Sequence, residues 1–244
     1  MSGHTMSFVA TASLRRDAET FISNIQRGEK SPQNALLQRV LDAFIAQCLD
    51  TYFVRPAELV GLNPVGRKIV VTAVATIRKT VQMVVGRIVR KLSNREMQPL
   101  ADYIDSVMLR DRRNHSSLAL IAFPLDEPVV EQFFAMQRQA HAPDADRNSN
   151  ASLVTPFQTI ASEAITYYFQ EPVEMLRLGP VLRKMSQLGV DTTRSVVSGV
   201  IARIFSTMTP QQVAATLDYF CGLISEGAPD LAPVADMLEL ASRA

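Results

Sequence analysis

The sequence predicts an all-α protein made of two tandem four-helix repeats followed by a short C-terminal helix. Residues 52–108 align without a gap with residues 168–224, at a constant offset of 116 positions. Of these 57 aligned positions 18 are identical, where unrelated segments would share only a few. Both segments also have the apolar spacing of helices and the same helix-start signals.

The most distinctive repeated stretch is an elbow, "YFVRPAELVGLNPVGRK" in the first copy and "YFQEPVEMLRLGPVLRK" in the second. Proline fixes φ and lowers the entropy of the unfolded loop, so a proline at each end of the elbow favours one tight corner. The repeated elbow residues are Pro56, Glu58, Pro64, Pro172, Glu174 and Pro180. We interpret them as structural.

Each copy contains signals for four helices, A to D. Helix A covers residues 20–27 and, at a slightly smaller offset, residues 132–138. Helix B follows Ser31-Pro32 and is expected to end near Arg55, because a residue before proline is disfavoured in the α conformation. Helix C begins at Pro64 and Pro180, and capping boxes start helix D at residues 93–96 and 209–212.

The predicted organisation is a flexible tail (1–12), repeat one (13–112), a connector (113–125), repeat two (126–226) and a C-terminal helix (227–244). Short loops and shared apolar faces favour fusion of the repeats into one globular domain about a pseudo-twofold axis. The C helices are expected at its centre. An apolar stripe on the first C helix predicts burial of Val70, Val74, Ile77, Val81, Val84, Ile88 and Leu92.

Composition limits the classes of function. The formal net charge is +1, so no overall field attracts nucleic acid, and a nucleic-acid partner is not expected. Cys48 and Cys221 are too few for a disulfide framework, which favours a cytoplasmic protein. Arg78 and Lys79 interrupt the longest apolar stretch, so no transmembrane segment is predicted. The three histidines lack metal-ligand spacing and no glycine-rich phosphate loop occurs, so we predict no metal and no cofactor.

The first C helix has an unusual charge pattern, with basic residues and no acidic one: Arg67, Lys68, Arg78, Lys79, Arg87, Arg90 and Lys91. These cations could pair with carboxylates such as Glu58 and Asp102 on neighbouring helices. They could instead meet an acidic protein or anionic lipid headgroups. Nucleic acid is a third alternative, although the second copy has fewer basic residues there and adds Asp191.

Repeated cations beside the apolar stripe are the candidate ligand- or partner-binding residues: Arg67, Arg78, Arg183 and Arg194, with the repeated Thr76 and Thr192. If the C helices pack about the axis, the four arginines could converge on one anion, because arginine binds carboxylate or phosphate bidentately. Structural pairs with Asp102 and Asp218 are the competing interpretation.

The leading functional prediction is a non-enzymatic intracellular interaction module. Residues 55–113 contain twelve basic and five acidic residues, whereas residues 214–244 contain one basic and five acidic. This asymmetry favours an acidic protein partner or an anionic membrane surface, and it is compatible with a homo-oligomer. The alternative is a carrier or sensor of a hydrophobic or anionic small molecule in a cavity between the repeats. A second alternative is an enzyme of an unfamiliar all-α type, which would use Glu58, Asp102, Tyr103, the arginines and their copies. No catalytic residue is assigned.

Overall fold

The computed structural model describes residues 3–110, 119–142 and 150–226. The chain is mostly helical over these residues, as the sequence predicts, and it also has a small antiparallel sheet that the all-α prediction lacks. The predicted C-terminal helix (227–244) lies outside the described residues. Below, residues 4–110 are called the first half and residues 119–226 the second half.

The first half contains two strands and five α-helices, with a π-helical turn between α2 and α3. Its elements are β1 (His4–Val9), α1 (Ala12–Gln26), α2 (Asn34–Leu49), the first π turn (Asp50–Val54), α3 (Arg55–Leu59), α4 (Pro64–Val89), α5 (Gln98–Val107) and β2 (Met108–Arg110).

The second half has the same element order. Its elements are β3 (Ala119–Leu125), α6 (Glu127–Ala140), α7 (Asn150–Ile165), the second π turn (Thr166–Gln170), α8 (Glu171–Glu174), α9 (Pro180–Phe205), α10 (Pro210–Cys221) and β4 (Ile224–Glu226).

The sheet has the strand order β2-β3-β1-β4 with every neighbouring pair antiparallel. Strand β1 lies in the segment predicted as a flexible tail (1–12), and β3 lies in the predicted connector (113–125), so both predictions are corrected. The partner of β1 is more than 100 residues away along the chain, so the stabilising hydrogen bonds leave no local pattern in the sequence. The sheet is built from both halves.

Strand pairing follows the same rule in each half. Ile224 of β4 pairs with Met6 of β1, and Met108 of β2 pairs with Ile121 of β3. Met108 and Ile224 are 116 positions apart, while Met6 and Ile121 are 115 apart. The last strand of each half therefore pairs with the first strand of the other half in an equivalent register.

Helices α4 and α9 are the predicted C helices and lie against each other. Both have 26 residues, and their ends are 116 positions apart. They approach closely because Gly189 has no side chain; a Cβ there would lie 2.8 Å from Cγ2 of Val84. The predicted apolar stripe is confirmed, since all its members are buried except the half-buried Val74.

By length and composition α4 could cross a membrane, because an 18-residue window within it has a mean hydropathy of 1.4. In this fold the helix contacts α2 and α9, and residues such as Ile77 and Val84 belong to the core. Packing between the halves accounts for the buried side of α4, which makes up 39% of that window.

The prediction that helix B ends near Arg55 is wrong. The backbone continues from α2 through the first π turn into α3, so it stays helical through Pro56. In the π turn the Arg55 N–H donates to the carbonyl of Asp50, five residues back instead of four. This wider turn moves the carbonyls that would otherwise collide with the proline ring. The second half repeats the arrangement around Pro172.

The π turn leaves one carbonyl without a main-chain donor. In the same pattern the carbonyl of Thr51 would accept from the backbone nitrogen of Pro56, which has no hydrogen. The hydroxyl of Tyr219 on α10 donates to this carbonyl at 2.8 Å. Burial raises the pKa of Tyr219 to about 12, so its hydroxyl remains a donor at neutral pH.

An equivalent hydrogen bond is donated by the first half to the second half. The carbonyl of Tyr167 lies five residues before Pro172 and accepts a hydrogen bond from the hydroxyl of Tyr103 on α5. Tyr103 and Tyr219 are 116 positions apart, as are Thr51 and Tyr167. Each half therefore satisfies the orphaned carbonyl of the other.

We predict that Tyr219→Phe and Tyr103→Phe each lower the free energy of unfolding by about 1–3 kcal/mol, because each leaves a carbonyl without its donor. Urea denaturation followed by circular dichroism measures the change. Tyr167→Phe is the matched control, because its hydroxyl has no such carbonyl partner, and we expect a smaller loss. Equal losses in all three variants would contradict the proposed role of the two hydrogen bonds.

Candidate functional site

A cavity of about 190 Å³ lies between the two halves. Its walls come from α2, α4 and the first π turn, and from the corresponding α7, α9 and second π turn. All but two of the lining residues, Phe123 and Phe220, form pairs 116 positions apart. The pairs are Leu41/Phe157, Phe44/Ile160, Ile45/Ala161, Cys48/Ala164, Leu49/Ile165, Tyr52/Tyr168, Phe53/Phe169, Ile77/Thr193, Val81/Val197 and Val85/Ile201.

The π turns bring adjacent aromatic residues to the cavity. Tyr52 and Phe53 both line it, although neighbouring side chains point about 100° apart in an α-helix. The wider π turn reduces this angle, so two consecutive rings can face one space. Tyr168 and Phe169 do the same in the second half.

The tyrosine rings are held by edge-to-face contacts with the sheet. Tyr52 packs on Phe8 of β1 with ring centroids 5.8 Å apart, and Tyr168 packs on Phe123 of β3 at 5.3 Å. Phe44 contacts Tyr168 from the other side at 5.1 Å. These contacts restrict the rings and thereby fix where their hydroxyl groups lie.

The hydroxyl groups of Tyr52 and Tyr168 are buried, and neither donates to a backbone carbonyl. Burial raises the pKa of both groups well above the usual value, so both are neutral phenols. The two hydroxyls lie close together, and a hydrogen bond between them contributes to the pKa of each group, lowering that of Tyr52 and raising that of Tyr168.

The rest of the lining is electrically neutral. The Cys48 thiol faces the cavity, and burial raises its pKa well above the usual range, so it is not a thiolate nucleophile. The hydroxyl of Thr193 donates to the carbonyl of Gly189 at 2.8 Å. No charged side chain lines the cavity within the described part of the chain.

The predicted four-arginine anion site does not form. Arg78 and Arg183 are exposed. Arg67 donates through Nε to the carbonyl of Leu62 at 2.8 Å, a hydrogen bond within the elbow. Thr76 and Thr192 are exposed on the outer sides of α4 and α9. The repeated cations are therefore spread over the helices instead of converging on one ligand.

Arg194 differs from Arg78, which lies 116 positions before it. Its Nη2 donates to Oγ1 of Thr166 at 2.7 Å and to Oε1 of Gln170 at 2.8 Å. These residues are the two ends of the second π turn, which contains Tyr168. The corresponding positions in the first half are Asp50 and Val54, and Asp50 pairs with Arg55 at 2.7 Å instead. Arg194 therefore braces one wall of the cavity.

The polar residues proposed for an enzyme also remain apart. Asp102 accepts from Gln98 at 2.9 Å, whereas Asp218 accepts from Gln137 at 2.8 Å and contacts His141 at 2.9 Å. Hydrogen bonds from Gln137 and His141 lower the pKa of Asp218. The predicted pairs of these aspartates with the repeated arginines are not found in the described structure. Glu58 and Glu174 are exposed at the elbows.

Sequence reasoning missed the tyrosines that face the cavity. Tyr52 and Tyr168 occupy aligned positions, but both belong to the elbow, which we interpreted from the sequence as purely structural. A usable signal was present, because an adjacent Tyr-Phe pair just before a proline occurs at the same place in both copies. The sequence does not indicate that the two tyrosines line one cavity, because their positions relative to each other depend on how the two halves pack.

We predict that Arg194→Met lowers the free energy of unfolding by about 1–3 kcal/mol, because it removes two hydrogen bonds from a cation to the second π turn. Arg78→Met is the matched control and should change stability by less than about 0.5 kcal/mol, since it is an exposed substitution. Thermal and urea unfolding measure both variants. Equal effects would show that Arg194 has no bracing role.

Comparison with known proteins does not suggest a function, so a proposal has to rest on the geometry of the cavity. No family model, no curated protein sequence and no solved structure matches the chain. The neutral cavity between the halves, lined by Tyr52 and Tyr168, is the candidate site.

Proposed function

We propose that the chain is an internal duplication whose halves are related by a pseudo-twofold axis that passes through the cavity. The repeated element order, the equivalent strand registers and the reciprocal tyrosine–carbonyl bonds support this proposal. The paired lining residues support the position of the axis. On this proposal the cavity is the place where the two copies of one surface meet.

We infer that the protein is a carrier or sensor of a small, neutral, hydrophobic molecule that binds in this cavity. The observation behind the inference is the apolar lining and the volume of this space, which is partly open to solvent. Ligand sites are typically concave and lined mostly by hydrophobic and aromatic side chains, so a pocket of this kind favours a small hydrophobic ligand.

The alternative function predicted from the sequence was a carrier or sensor of either a hydrophobic or an anionic molecule, and the cavity favours the hydrophobic one. A hydrophobic ligand suits walls of leucine, isoleucine, valine and phenylalanine. An anionic ligand would need a cation or several donors in a space where burial penalises charge, and none of the lining side chains is cationic. We therefore restrict the proposal to neutral ligands.

We expect indole or toluene to raise the melting temperature, because a molecule that binds only the folded state stabilises it by about 2.7 kcal/mol at 100 times Kd. Ala161→Met places a longer side chain in the cavity and should abolish the shift. Ala75→Met, on the exposed surface of α4, is the matched control and should retain it. Differential scanning fluorimetry measures the shift, and native mass spectrometry of gently purified protein identifies any ligand that co-purifies.

Absence of a shift for apolar ligands of this size would contradict the proposed function. An equal shift in wild type and Ala161→Met would also contradict it, because the molecules would then bind elsewhere.

A second candidate function is docking on an anionic membrane surface, in keeping with the leading prediction from the sequence. Exposed apolar and basic residues alternate at helical spacing on the outer sides of α4 and α9. This outer face consists of Val65, Lys68, Thr72, Thr76, Lys79, Met83 and Arg87 with Val181, Lys184, Leu188, Thr192, Ser195, Gly199 and Arg203. Val181 is 81 % exposed and Val65 is 64 % exposed. The exposed Asp191 borders the outer face, but the basic residues Lys68, Lys79, Arg87, Lys184 and Arg203 outnumber it, which favours anionic headgroups.

We expect the protein to co-sediment with vesicles that contain phosphatidylglycerol and not with pure phosphatidylcholine vesicles. Each Lys or Arg near an anionic surface contributes about 1 kcal/mol, so Lys68→Glu combined with Lys184→Glu should greatly weaken binding. Lys30→Glu, an exposed change away from the outer face, should leave it unchanged. Binding that is insensitive to the double substitution or to salt would exclude this surface.

A further inference from the structure

The outer face contains an open groove of about 500 Å³ along the line where α4 and α9 meet. The less exposed lining residues form an apolar floor: Ile69, Ala73, Val196 and Val200. Five exposed polar residues line the rim: Lys68, Thr72, Thr76, Ser195 and Arg203. No acidic side chain lines the groove within the described part of the chain. The groove therefore combines an apolar floor with a basic, hydroxyl-rich rim.

The two cations of the groove lie at the same level on opposite sides of it. The helices run antiparallel, because Gly189 lies against Val84 while residues 65–76 of α4 meet residues 195–203 of α9. Counted from that contact, Lys68 is 16 residues away along α4 and Arg203 is 14 residues away along α9, about 24 Å and about 21 Å at a rise of ~1.5 Å per residue. Both long side chains can therefore reach one ligand at this end of the groove.

The protein itself does not neutralise these cations. Among the described residues, the side chains of Lys68 and Arg203 form no ion pair and no hydrogen bond. The hydroxyl groups of Thr72 and Ser195 also have no partner among these residues. The Thr76 hydroxyl donates to the carbonyl of Thr72 at 2.8 Å. Two cations and two hydroxyl donors are thus available to a ligand.

Gly199 keeps the groove open. It is exposed in the interior of α9, where glycine is the least favourable residue other than proline. Packing requires the other glycine of this part of the helix, Gly189, because a Cβ there would lie 2.8 Å from Cγ2 of Val84. A Cβ at Gly199 would meet no atom within 4 Å, so packing does not require this glycine. Space for a ligand above the floor accounts for the missing side chain.

The opposite end of the two helices has the same cations without the open space. Lys184 and Arg87 lie there, at an offset of 116 positions from the two cations of the groove. The positions that correspond to Thr72 and to the glycine are occupied by Leu188 and Met83, which are 58 % and 48 % exposed. Large apolar side chains thus replace a hydroxyl group and a glycine. This end supplies a natural control for the effect of charge alone.

We propose that the groove binds an organic phosphate monoester, with Lys68 and Arg203 on the phosphate group and the organic part over the apolar floor. A phosphate monoester carries a charge of about −1.5 to −2 at pH 7, which the two cations balance. The planar guanidinium group binds two phosphate oxygens at once. The ammonium group and the hydroxyl of Thr72, one helical turn from Lys68, donate to the remaining oxygens. The site is separate from the cavity, so it does not rest on the carrier function.

Other ligand classes use less of the groove. A carboxylate or a sulfonate carries one negative charge and leaves one cation unbalanced. A neutral apolar ligand uses the floor but neither of the cations nor the hydroxyl groups. Inorganic phosphate fills only a small part of 500 Å³, a volume within the usual range for sites that hold organic ligands.

Phenyl phosphate and benzenesulfonate test the proposal on the unaltered protein. Each has one ring and one tetrahedral anionic group, but only the phosphate ester is close to doubly charged at pH 7.5, because its second pKa is about 6. We expect phenyl phosphate to bind about tenfold more tightly, since only it balances both cations. Isothermal titration calorimetry at pH 7.5 measures both affinities.

Variants at the two ends of the helices locate the site. Lys68→Gln combined with Arg203→Gln should weaken the binding of phenyl phosphate about tenfold or more, because two charge-assisted contacts are lost. Lys184→Gln combined with Arg87→Gln removes the same charge from the opposite end and should change the affinity less than about twofold. Gly199→Met fills the groove without a change of charge and should weaken binding as strongly as the first pair. Circular dichroism before titration confirms that each variant is folded.

Vesicles distinguish a lipid headgroup from a soluble ester as the source of the phosphate. Phosphatidic acid has a phosphate monoester, whereas phosphatidylglycerol has a diester. Stronger co-sedimentation with phosphatidic acid at equal vesicle charge, lost in Gly199→Met, would identify the lipid headgroup as the ligand. Equal co-sedimentation with both lipids, while the protein still prefers phenyl phosphate, would identify a soluble ester.

The outcomes separate this site from general docking on an anionic membrane. Absence of phenyl phosphate binding, equal affinity for the two soluble anions, or equal losses in the two double variants would overturn the phosphate site. Each of these results would leave membrane docking by the whole outer face intact. Failure to bind any vesicle, together with a preference for phenyl phosphate that Gly199→Met abolishes, would overturn membrane docking and support the phosphate site.

Discussion

The architecture depends on what happens to one backbone carbonyl before each elbow proline. A proline within a continuing helix removes a donor, and the π turn that makes room for its ring leaves the carbonyl of Thr51 or Tyr167 unpaired. A buried carbonyl without a donor is costly, so it must be satisfied from elsewhere. Tyr219 and Tyr103 do this, each reaching from one half into the other. Neither half can complete its own elbow.

This exchange also explains why the halves form one body. The reciprocal hydrogen bonds tie α10 to the first π turn and α5 to the second. The shared sheet adds a second exchange, because the last strand of each half pairs with the first strand of the other. Helices α4 and α9 close the remaining side, where Gly189 allows the backbone to approach Val84. The cavity is the space that these three connections enclose.

The π turns that accommodate the elbow prolines also shape the candidate site. They tolerate the prolines, and they also direct two consecutive aromatic side chains of each half into the cavity. The repeated tyrosines consequently divide into two roles. Tyr103 and Tyr219 satisfy carbonyls, whereas Tyr52 and Tyr168 line the cavity.

The sequence by itself determined the elements whose causes are local. The starts of α4 and α9 follow from Pro64 and Pro180, and the buried stripe of α4 follows from its spacing. The tertiary structure decided whatever depends on a distant neighbour. It paired β1 with β3, kept the chain helical through Pro56, and gave Arg194 two hydrogen-bond partners that Arg78, at the aligned position, lacks. Spacing along a chain specifies which face of a helix is apolar, but a hydrogen bond or a cavity exists only between surfaces that folding brings together.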